Sequence, residues 1–259
     1  MTEQVLQTEV SRVVIDVDHG ARIASLTVAD HDLLLSDQRD DPITWGLYPM
    51  APWVGRLRDG HIPGHPPVRP NLGPHALHGT AFLHPWVVKA PGVLELELGP
   101  PWPFRGRLTQ HVRLTESDLT LRLALEADEP QPVCLGYHPW FPRHLAERPV
   151  SIDMAATAML ATDDRAIPTG ELVPIPEGPF DDAFVGVTQP VGVCWGDLLR
   201  LELSAPEATH WVRFDRLPDR VCIEPQTGPP DAPNSAAPPT LEAGETTSLT
   251  FRLRWLLLG

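Results

Sequence analysis

Proline is the feature of this sequence that most constrains its fold. The chain has 31 proline residues among 259, and they recur every few positions through much of its length. A proline inside an α-helix removes a backbone hydrogen bond, and its ring clashes with the preceding turn. Long helices are therefore excluded, and we expect helix to be a minor component.

Alternation of apolar and polar residues marks several segments as β-strands. Leucine occupies every second position of residues 119–125, and residues 249–255 repeat the pattern with Leu, Phe, Leu and Trp. Shorter examples cover residues 93–98, 199–203 and 211–214. Because successive side chains of a strand point to opposite faces, this period predicts strands with one buried face.

Turn-rich connections join these segments, including residues 61–74 and 228–239, and none is long or polar enough to indicate a disordered linker. The 42% hydrophobic content suffices for a substantial core. We therefore expect a single all-β domain over residues 1–259, a large antiparallel two-sheet β-sandwich with little helix. Functional residues would then lie on loops or on the solvent-facing side of a concave sheet.

The charge and the cysteines restrict the partners and the compartment. The formal net charge is −14, which argues against nucleic acid and anionic membranes, because both require a basic surface. The three cysteines are far apart with apolar neighbours, so we expect small buried side chains and neither disulfides nor a metal site. Apolar runs such as residues 255–258 are far short of the roughly 20 residues that span a bilayer. We expect a cytoplasmic monomer or homodimer that binds a neutral small molecule.

Two histidines stand in settings that suit acid–base chemistry. His78 lies between a leucine and a glycine in a turn-rich segment, and His138 directly precedes Pro139, which holds the backbone extended. The aromatic residues Tyr137, Trp140 and Phe141 could form a platform for a sugar ring. Taken alone, His78 is equally well interpreted as a surface loop residue, and the aromatic residues as core.

Glu224 is the third candidate. It follows an apolar strand, where burial would raise its carboxyl pKa from about 4.3 towards neutrality and suit it to act as a general base. The alternative interpretation is an exposed carboxylate at a strand end with no chemical task.

These segments occur in the order, and with the flanking residues, of the aldose 1-epimerase (galactose mutarotase) family, which the sequence resembles over most of its length. The shared motifs are an early Gly-Arg, an Asn followed by Leu-His-Gly, a His-x-aromatic-Phe, an Asp-x-x-Phe, and a final Glu-x-Gln with Pro-Asp-Ala-Pro-Asn. They lie here at residues 55–56, 71 with 77–79, 138–141, 181–184, and 224–226 with 230–234. Five motifs in order are far more specific than any one of them.

The resemblance implies a galactose mutarotase-like fold and an isomerase that interconverts the α and β anomers of a hexose or related aldose by opening and closing the sugar ring. It implies no cofactor and no metal. Glu224 would be the base, His138 the acid, and His78 a hydrogen-bonding support for the sugar.

The resemblance also implies which residues bind the sugar. Arg56 and Asp181 would bind sugar hydroxyls, with Gln226 a further candidate beside the base. Asp182 is adjacent to Asp181, and counting back from Phe184 in the family motif favours Asp181.

Two other functions stay open. A glycoside hydrolase would use Glu224 and Asp181 as paired carboxylates, about 5 to 10 Å apart across a glycosidic oxygen. A catalytically inactive carbohydrate-binding protein would keep the sheet and bind sugar without changing its anomer. A sugar phosphate is a further possibility, although the acidic balance and the lack of a phosphate-binding glycine loop favour neutral sugars.

Overall fold

The structure is a computed structural model and describes residues 2–36 and 40–258. Within these residues the chain forms β-strands from one end to the other and contains no α-helix. Three single turns of 3-10 helix cover Arg58–Gly60, Ala81–Leu83 and Ala232–Asn234.

The strands are, in chain order, β1 (Glu3–Gln7), β2 (Ser11–Asp16), β3 (Arg22–Val28), β4 (His31–Asp32), β5 (Leu47–Met50), β6 (Arg56–Leu57), β7 (Ala76–Leu77), β8 (Val87–Ala90), β9 (Val93–Leu98), β10 (Gly106–Leu114), β11 (Asp118–Ala127), β12 (Gln131–Pro132), β13 (Gly136–Pro139), β14 (Phe141–Pro142), β15 (His144–Leu145), β16 (Arg148–Asp153), β17 (Ala158–Thr162), β18 (Pro168–Val173), β19 (Asp181–Val185), β20 (Val191–Trp195), β21 (Leu199–Ser204), β22 (His210–Phe214), β23 (Arg220–Gln226), β24 (Thr240–Leu241) and β25 (Thr246–Leu257).

Two large antiparallel sheets contain most of these strands. The first has twelve strands, with the order β1-β2-β3-β5-β13-β23-β22-β19-β17-β18 and with β4 and β14 attached to β3 and β23. The second has nine strands, in the order β15-β16-β20-β21-β25-β11-β10-β9-β8. The predicted all-β, two-sheet architecture with little helix is confirmed.

The core lies between the two sheets and follows the alternation read from the sequence. The four leucines of β11 at positions 119, 121, 123 and 125 are fully buried, whereas Arg122 between them is exposed. Phe251 of β25 stacks on Tyr137 of the other sheet, with ring centroids 5.8 Å apart, and also meets Trp211 edge-on. These contacts join the inner faces of the two sheets.

The opposite face of the twelve-stranded sheet carries the polar residues. In β23, Val221 and Ile223 belong to the core between the sheets, so the alternation turns Cys222 and Glu224 to the other face. His138 stands on that face in the same way, because its neighbour Tyr137 is in the core. The chemistry-bearing residues therefore lie on the side of this sheet that faces away from the second sheet.

The cysteines follow the expectation in part. All three are free; Cys134 and Cys222 are buried, but Cys194 is partly exposed and its sulfur accepts a hydrogen bond from Arg200 at 3.3 Å. Its neighbours in β20, Val193 and Trp195, belong to the core between the sheets, so the alternation turns Cys194 to the outer face of the second sheet. No helix among the described residues is long and apolar enough to span a bilayer.

Candidate active site

His138 is held between two aromatic rings at the centre of the twelve-stranded sheet. Tyr48 is its cross-strand partner in β5, and the two rings stack with centroids 4.7 Å apart and planes 11° apart. Trp140 lies on another side of the imidazole, 4.9 Å between centroids. Tyr48 Oη and Trp140 Nε1 both donate to the carbonyl oxygen of Ile43, at 3.0 and 2.6 Å, which fixes both rings.

Both imidazole nitrogens of His138 meet a side chain of β23. Nε2 lies 3.3 Å from Oε1 of Glu224, and Nδ1 lies 3.6 Å from Sγ of Cys222. Glu224 and Cys222 are two residues apart in one strand, so they share a face and are brought to opposite sides of the ring. The imidazole orientation is thus set by contacts on every side.

Gln226 completes the surroundings of Glu224. Its Nε2 donates a hydrogen bond to Oε2 of Glu224 at 3.2 Å, while its own Oε1 is buried without a partner among the described residues. Glu224 and His138 are themselves only 3% and 4% exposed. A carboxyl group and an imidazole in contact are therefore almost fully withdrawn from bulk water, with a free amide oxygen beside them.

Burial shifts the pKa values of these two groups in opposite directions. The pKa of Glu224 is raised well above 4.5, chiefly by burial and further by the carboxylate of Asp181, against the hydrogen bond from Gln226 and the charge of Arg56. Burial also lowers the pKa of His138 below 6.5. Both shifts favour the neutral forms, so the 3.3 Å contact is a hydrogen bond between a carboxylic acid and a neutral imidazole rather than an ion pair.

His78 reaches the same place from a tight loop. Its backbone is left-handed, with φ of 63°, and its N–H donates to the carbonyl of Gly55 at 2.9 Å. The imidazole is 4.8 Å from that of His138 between centroids, and its Nδ1 is buried without a partner among the described residues. Its pKa is lowered well below 6.5 by burial, and further by His138 and Arg56. His78 is therefore a neutral group with one nitrogen free to bind a ligand.

Arg56 and Asp181 form an ion pair at the partly exposed mouth of the pocket. Arg56 Nη2 donates to Asp181 Oδ2 at 3.0 Å, with each side chain about one quarter exposed. The neighbouring Asp182 accepts a hydrogen bond from the backbone N–H of Asp181 at 3.0 Å and lies 3.7 Å from Arg216. Of the two carboxylates, Asp181 is the one paired with the predicted sugar-binding arginine.

One pocket collects all six residues predicted from the sequence: His78, His138, Glu224, Arg56, Asp181 and Gln226. Its volume is about 260 Å³, slightly below the range of about 300 to 1,000 Å³ typical of small-molecule sites. Apolar side chains form most of the remaining lining, and they come from several strands and loops: Ile43, Leu72, Trp140, Leu160, Val212 and Phe214.

Among the described residues, one group of side chains has the composition of a metal site: His138, Cys222 and Glu224, whose ligand atoms lie within 4.8 Å of one another. The sulfur approaches Nδ1 and the carboxyl oxygen approaches Nε2, on different sides of the imidazole ring. An ion bound at one nitrogen would face only one of the other two ligands, so the arrangement suits a chain of hydrogen bonds better than coordination of one ion.

The sequence patterns did not identify two residues that contact His138, nor the apolar residues that line the pocket. Cys222 could have been found, because it is two positions from Glu224 in a strand and shares its face. Tyr48 could not, because its pairing with His138 joins segments 90 residues apart in the chain. The apolar residues Leu160 and Val212 gave no signal beyond ordinary strand patterning.

Comparison with known proteins finds the same family that the sequence motifs resemble. The family profile described as aldose 1-epimerase matches residues 4–190. No curated protein matches the chain in sequence at a significant level.

Solved structures share the fold over nearly the whole chain. A putative aldose 1-epimerase from Escherichia coli K12 has a TM-score of 0.82 and 20% identity, covering 99% of both chains. A GalM/aldose epimerase homologue from C. elegans has a TM-score of 0.81 and 16% identity, covering 100% of this chain and 99% of the other. A galactose 1-epimerase from Lactobacillus acidophilus NCFM has a TM-score of 0.80 and 16% identity, covering 98% and 94%. At these identities the likeness is one of fold.

Proposed function

The chain belongs to the aldose 1-epimerase family of isomerases, and from that membership we propose that it interconverts the α and β anomers of an aldose by acid–base chemistry at His138 and Glu224. The observation that carries this proposal is the 3.3 Å contact between His138 Nε2 and Glu224 Oε1 in a buried pocket. The single-domain organisation of the chain, its cytoplasmic location and its state as a monomer or homodimer remain predictions from the sequence.

Ring opening requires two proton transfers that leave the total number of protons on the pair unchanged. Glu224 as a carboxylate takes the proton of the C1 hydroxyl, the bond between C1 and the ring oxygen breaks, and protonated His138 gives its proton to that oxygen. The pair then consists of a carboxylic acid and a neutral imidazole. Rotation about the C1–C2 bond presents the other face of the carbonyl, and the reverse transfers close the ring to the other anomer.

The pKa shifts of Glu224 and His138 suit the open-chain stage in the middle of this cycle. Burial raises the pKa of Glu224 and lowers that of His138, which favours the neutral pair that faces the open-chain aldehyde. The pocket therefore supports the form of the pair that must exist while the ring is open. The hydroxyl groups of the bound sugar would supply the hydrogen bonds that stabilise the charged form at the start and end of the cycle.

Free polar atoms beside the pair give the sugar places to bind. His78 Nδ1 and Gln226 Oε1 are buried without partners among the described residues, and sugar hydroxyls can donate to both. At the mouth, Arg56 can donate to hydroxyl oxygens while Asp181 accepts from hydroxyl protons. We propose Asp181 rather than Asp182 as the sugar ligand, since Asp181 is the carboxylate paired with Arg56.

Exchange NMR between the α and β anomeric protons tests the proposal. We expect the wild-type chain to accelerate exchange of at least one of galactose, glucose and xylose. The variants Glu224→Gln and His138→Asn should lose roughly 10²- to 10⁴-fold of this acceleration, because each removes one of the two proton transfers. A matched control is Glu171→Gln, which makes the same change at an exposed position of β18 and should keep full activity.

Two results would contradict the proposal. Activity close to wild type in either pocket variant would remove the assigned roles. Binding of sugars without any acceleration of exchange would instead indicate a carbohydrate-binding protein, and release of a monosaccharide from an oligosaccharide would indicate a glycoside hydrolase.

A further inference from the structure

The hydrogen bond between Glu224 and His138 has a direction that its neighbour Gln226 determines. Gln226 Nε2 donates to Oε2 of Glu224 at 3.2 Å, while Oε1 of the same carboxyl group lies 3.3 Å from His138 Nε2. An amide N–H only donates, and the carbonyl oxygen of a carboxylic acid accepts more strongly than its hydroxyl oxygen. Oε2 is therefore the carbonyl oxygen, and the carboxyl proton lies on Oε1, where it faces His138.

The tautomer of His138 follows from this direction. Nε2 accepts the proton of the carboxyl group, so the neutral imidazole carries its own proton on Nδ1. The main chain gives a second indication. Burial lowers the pKa of His138, and a hydrogen bond from the ring to the carbonyl oxygen of its own backbone acts in the opposite direction. Nδ1 is the ring nitrogen nearer the backbone and a carbonyl oxygen only accepts, so this contact also requires a proton on Nδ1.

The side chain that meets Nδ1 is Cys222, whose sulfur lies 3.6 Å away. Burial raises the pKa of the Cys222 thiol well above 9.0, and Glu224 raises it further, so the sulfur is uncharged. A thiol sulfur is a weak acceptor, in contrast to a carboxylate, which would stabilise the imidazolium with a charge-assisted hydrogen bond. Cys222 therefore orients the ring and leaves protonated His138 a stronger acid than a carboxylate partner would.

We propose, on the basis of the function proposed above, that Cys222 is a positioning residue for anomer exchange: its sulfur accepts the Nδ1–H of His138 and keeps Nε2 as the nitrogen that gains and loses the proton. Ring closure requires a bare Nε2 to take the hydroxyl proton of the open-chain sugar. The other tautomer has its bare nitrogen turned towards Cys222, where it receives no proton from the sugar. Glu224 and Cys222, two residues apart in β23, thus divide the two nitrogens of one ring between them.

The tautomer is measured directly by NMR on the sugar-free protein. Two-bond ¹H–¹⁵N correlation spectra of protein labelled with ¹⁵N-histidine distinguish a protonated ring nitrogen from a bare one by the ¹⁵N shift, and the His138 signals are those absent from His138→Asn. Near neutral pH we expect a protonated Nδ1 and a bare Nε2 for His138. The reverse pattern, or two protonated nitrogens, would overturn the proposal.

The variant Cys222→Ala tests what the sulfur contributes. We expect kcat for anomer exchange to fall about 3- to 10-fold with KM nearly unchanged, which is the effect of losing one weak hydrogen bond, and the His138 ¹⁵N shifts to move towards a mixture of tautomers. Cys222→Ser retains an acceptor atom and should keep the Nδ1–H pattern and more activity than Cys222→Ala.

Cys134→Ala is the matched control. Cys134 is buried in the same small hydrophobic cluster as Cys222, but it does not line the pocket. This variant should lose similar packing and keep the wild-type kcat and His138 spectrum. Wild-type activity and tautomer in Cys222→Ala, or equal changes in Cys134→Ala, would overturn the role of Cys222.

The two proposals fail in different experiments. A wild-type protein that accelerates no aldose overturns the epimerase proposal. The tautomer is measured without sugar, so a His138 protonated on Nε2 in a protein that does accelerate exchange overturns the role of Cys222 alone.

Discussion

At the residue scale, burial shifts the pKa values of His138 and Glu224 in opposite directions. Withdrawal from water disfavours the charged form of each group, so the carboxyl retains its proton to higher pH and the imidazole gives up its proton at lower pH. Over a wide range of pH the pair therefore holds one titratable proton, with the carboxyl group of Glu224 protonated and the imidazole of His138 neutral. A reaction that moves a proton onto one partner and off the other needs a pair in this condition.

This shift predicts that Glu224→Gln changes the pH dependence of stability. Above pH 4.5 the unfolded chain loses the proton of this carboxyl while the folded chain retains it, so wild-type stability falls as pH rises towards the raised pKa of Glu224. The amide that replaces the carboxyl group in the variant cannot titrate. We expect the variant to gain on wild type by up to about 1.4 kcal/mol per pH unit within this window.

Urea unfolding of both proteins between about pH 5 and pH 8 measures the difference. Glu171→Gln, at the exposed position, should follow wild type at every pH. Parallel curves for wild type and Glu224→Gln would show that Glu224 has no raised pKa in the folded state.

At the scale of the structural element, the loop that carries His78 is fixed by backbone contacts rather than by regular pairing. His78 and Gly79 both have left-handed backbone conformations, with φ of 63° and 79°. Gly79 forms an isolated parallel bridge with Ala51, and Thr80 donates to the carbonyl of Ala51 at 2.8 Å. The position of the His78 imidazole depends on this close approach of two backbones.

Gly79→Ala should disrupt that approach. A β-carbon at this position would overlap the backbone carbonyl of Ala51, in addition to requiring a left-handed alanine. We expect a loss of about 3 kcal/mol or more in the free energy of unfolding, and slower anomer exchange by the molecules that remain folded, because His78 moves with its neighbour.

Gly73→Ala is the matched control for this prediction. Gly73 is also left-handed, with φ of 55°, but a β-carbon there meets nothing within 4 Å. The control should lose only about 1 kcal/mol, the strain of a left-handed alanine. Equal losses for the two variants, measured by denaturant unfolding, would show that the contact with Ala51 has no role.

Sequence patterning predicted the long strands better than the pocket, and the reason is the range of the interactions. β11 and β25 are long and alternate regularly, so each one identifies its buried face by itself. β13 is four residues long with no exposed side chain, and only its motif marked it. The stacking of Tyr48 on His138, and the hydrophobic cluster that Val212 forms with Leu160, depend on pairing between distant segments, which local periodicity does not contain.

At the scale of the whole molecule, the twelve-stranded sheet separates stability from chemistry by its two faces. One face packs against the nine-stranded sheet through residues such as Tyr137, Ile223 and Trp211. The other carries His138 and Glu224 and opens to the pocket. Adjacent residues of β13 and β23 point to opposite faces of the sheet. Packing in the core therefore fixes the backbone that carries the pocket residues, although the core side chains do not line the pocket themselves.

A core truncation in the second sheet should therefore reduce stability and leave the chemistry unchanged. Leu123 is fully buried in β11 and does not line the pocket. Leu123→Ala is expected to lower the free energy of unfolding by about 2 to 5 kcal/mol, through lost burial and the cavity left behind. Leu172→Ala, at a position of β18 that is 54% exposed, should change it by no more than about 0.5 kcal/mol. Anomer exchange per folded molecule, measured well below the unfolding temperature, should equal wild type in both variants. Slower exchange by folded Leu123→Ala would mean that the packing between the sheets also sets the positions of His138 and Glu224.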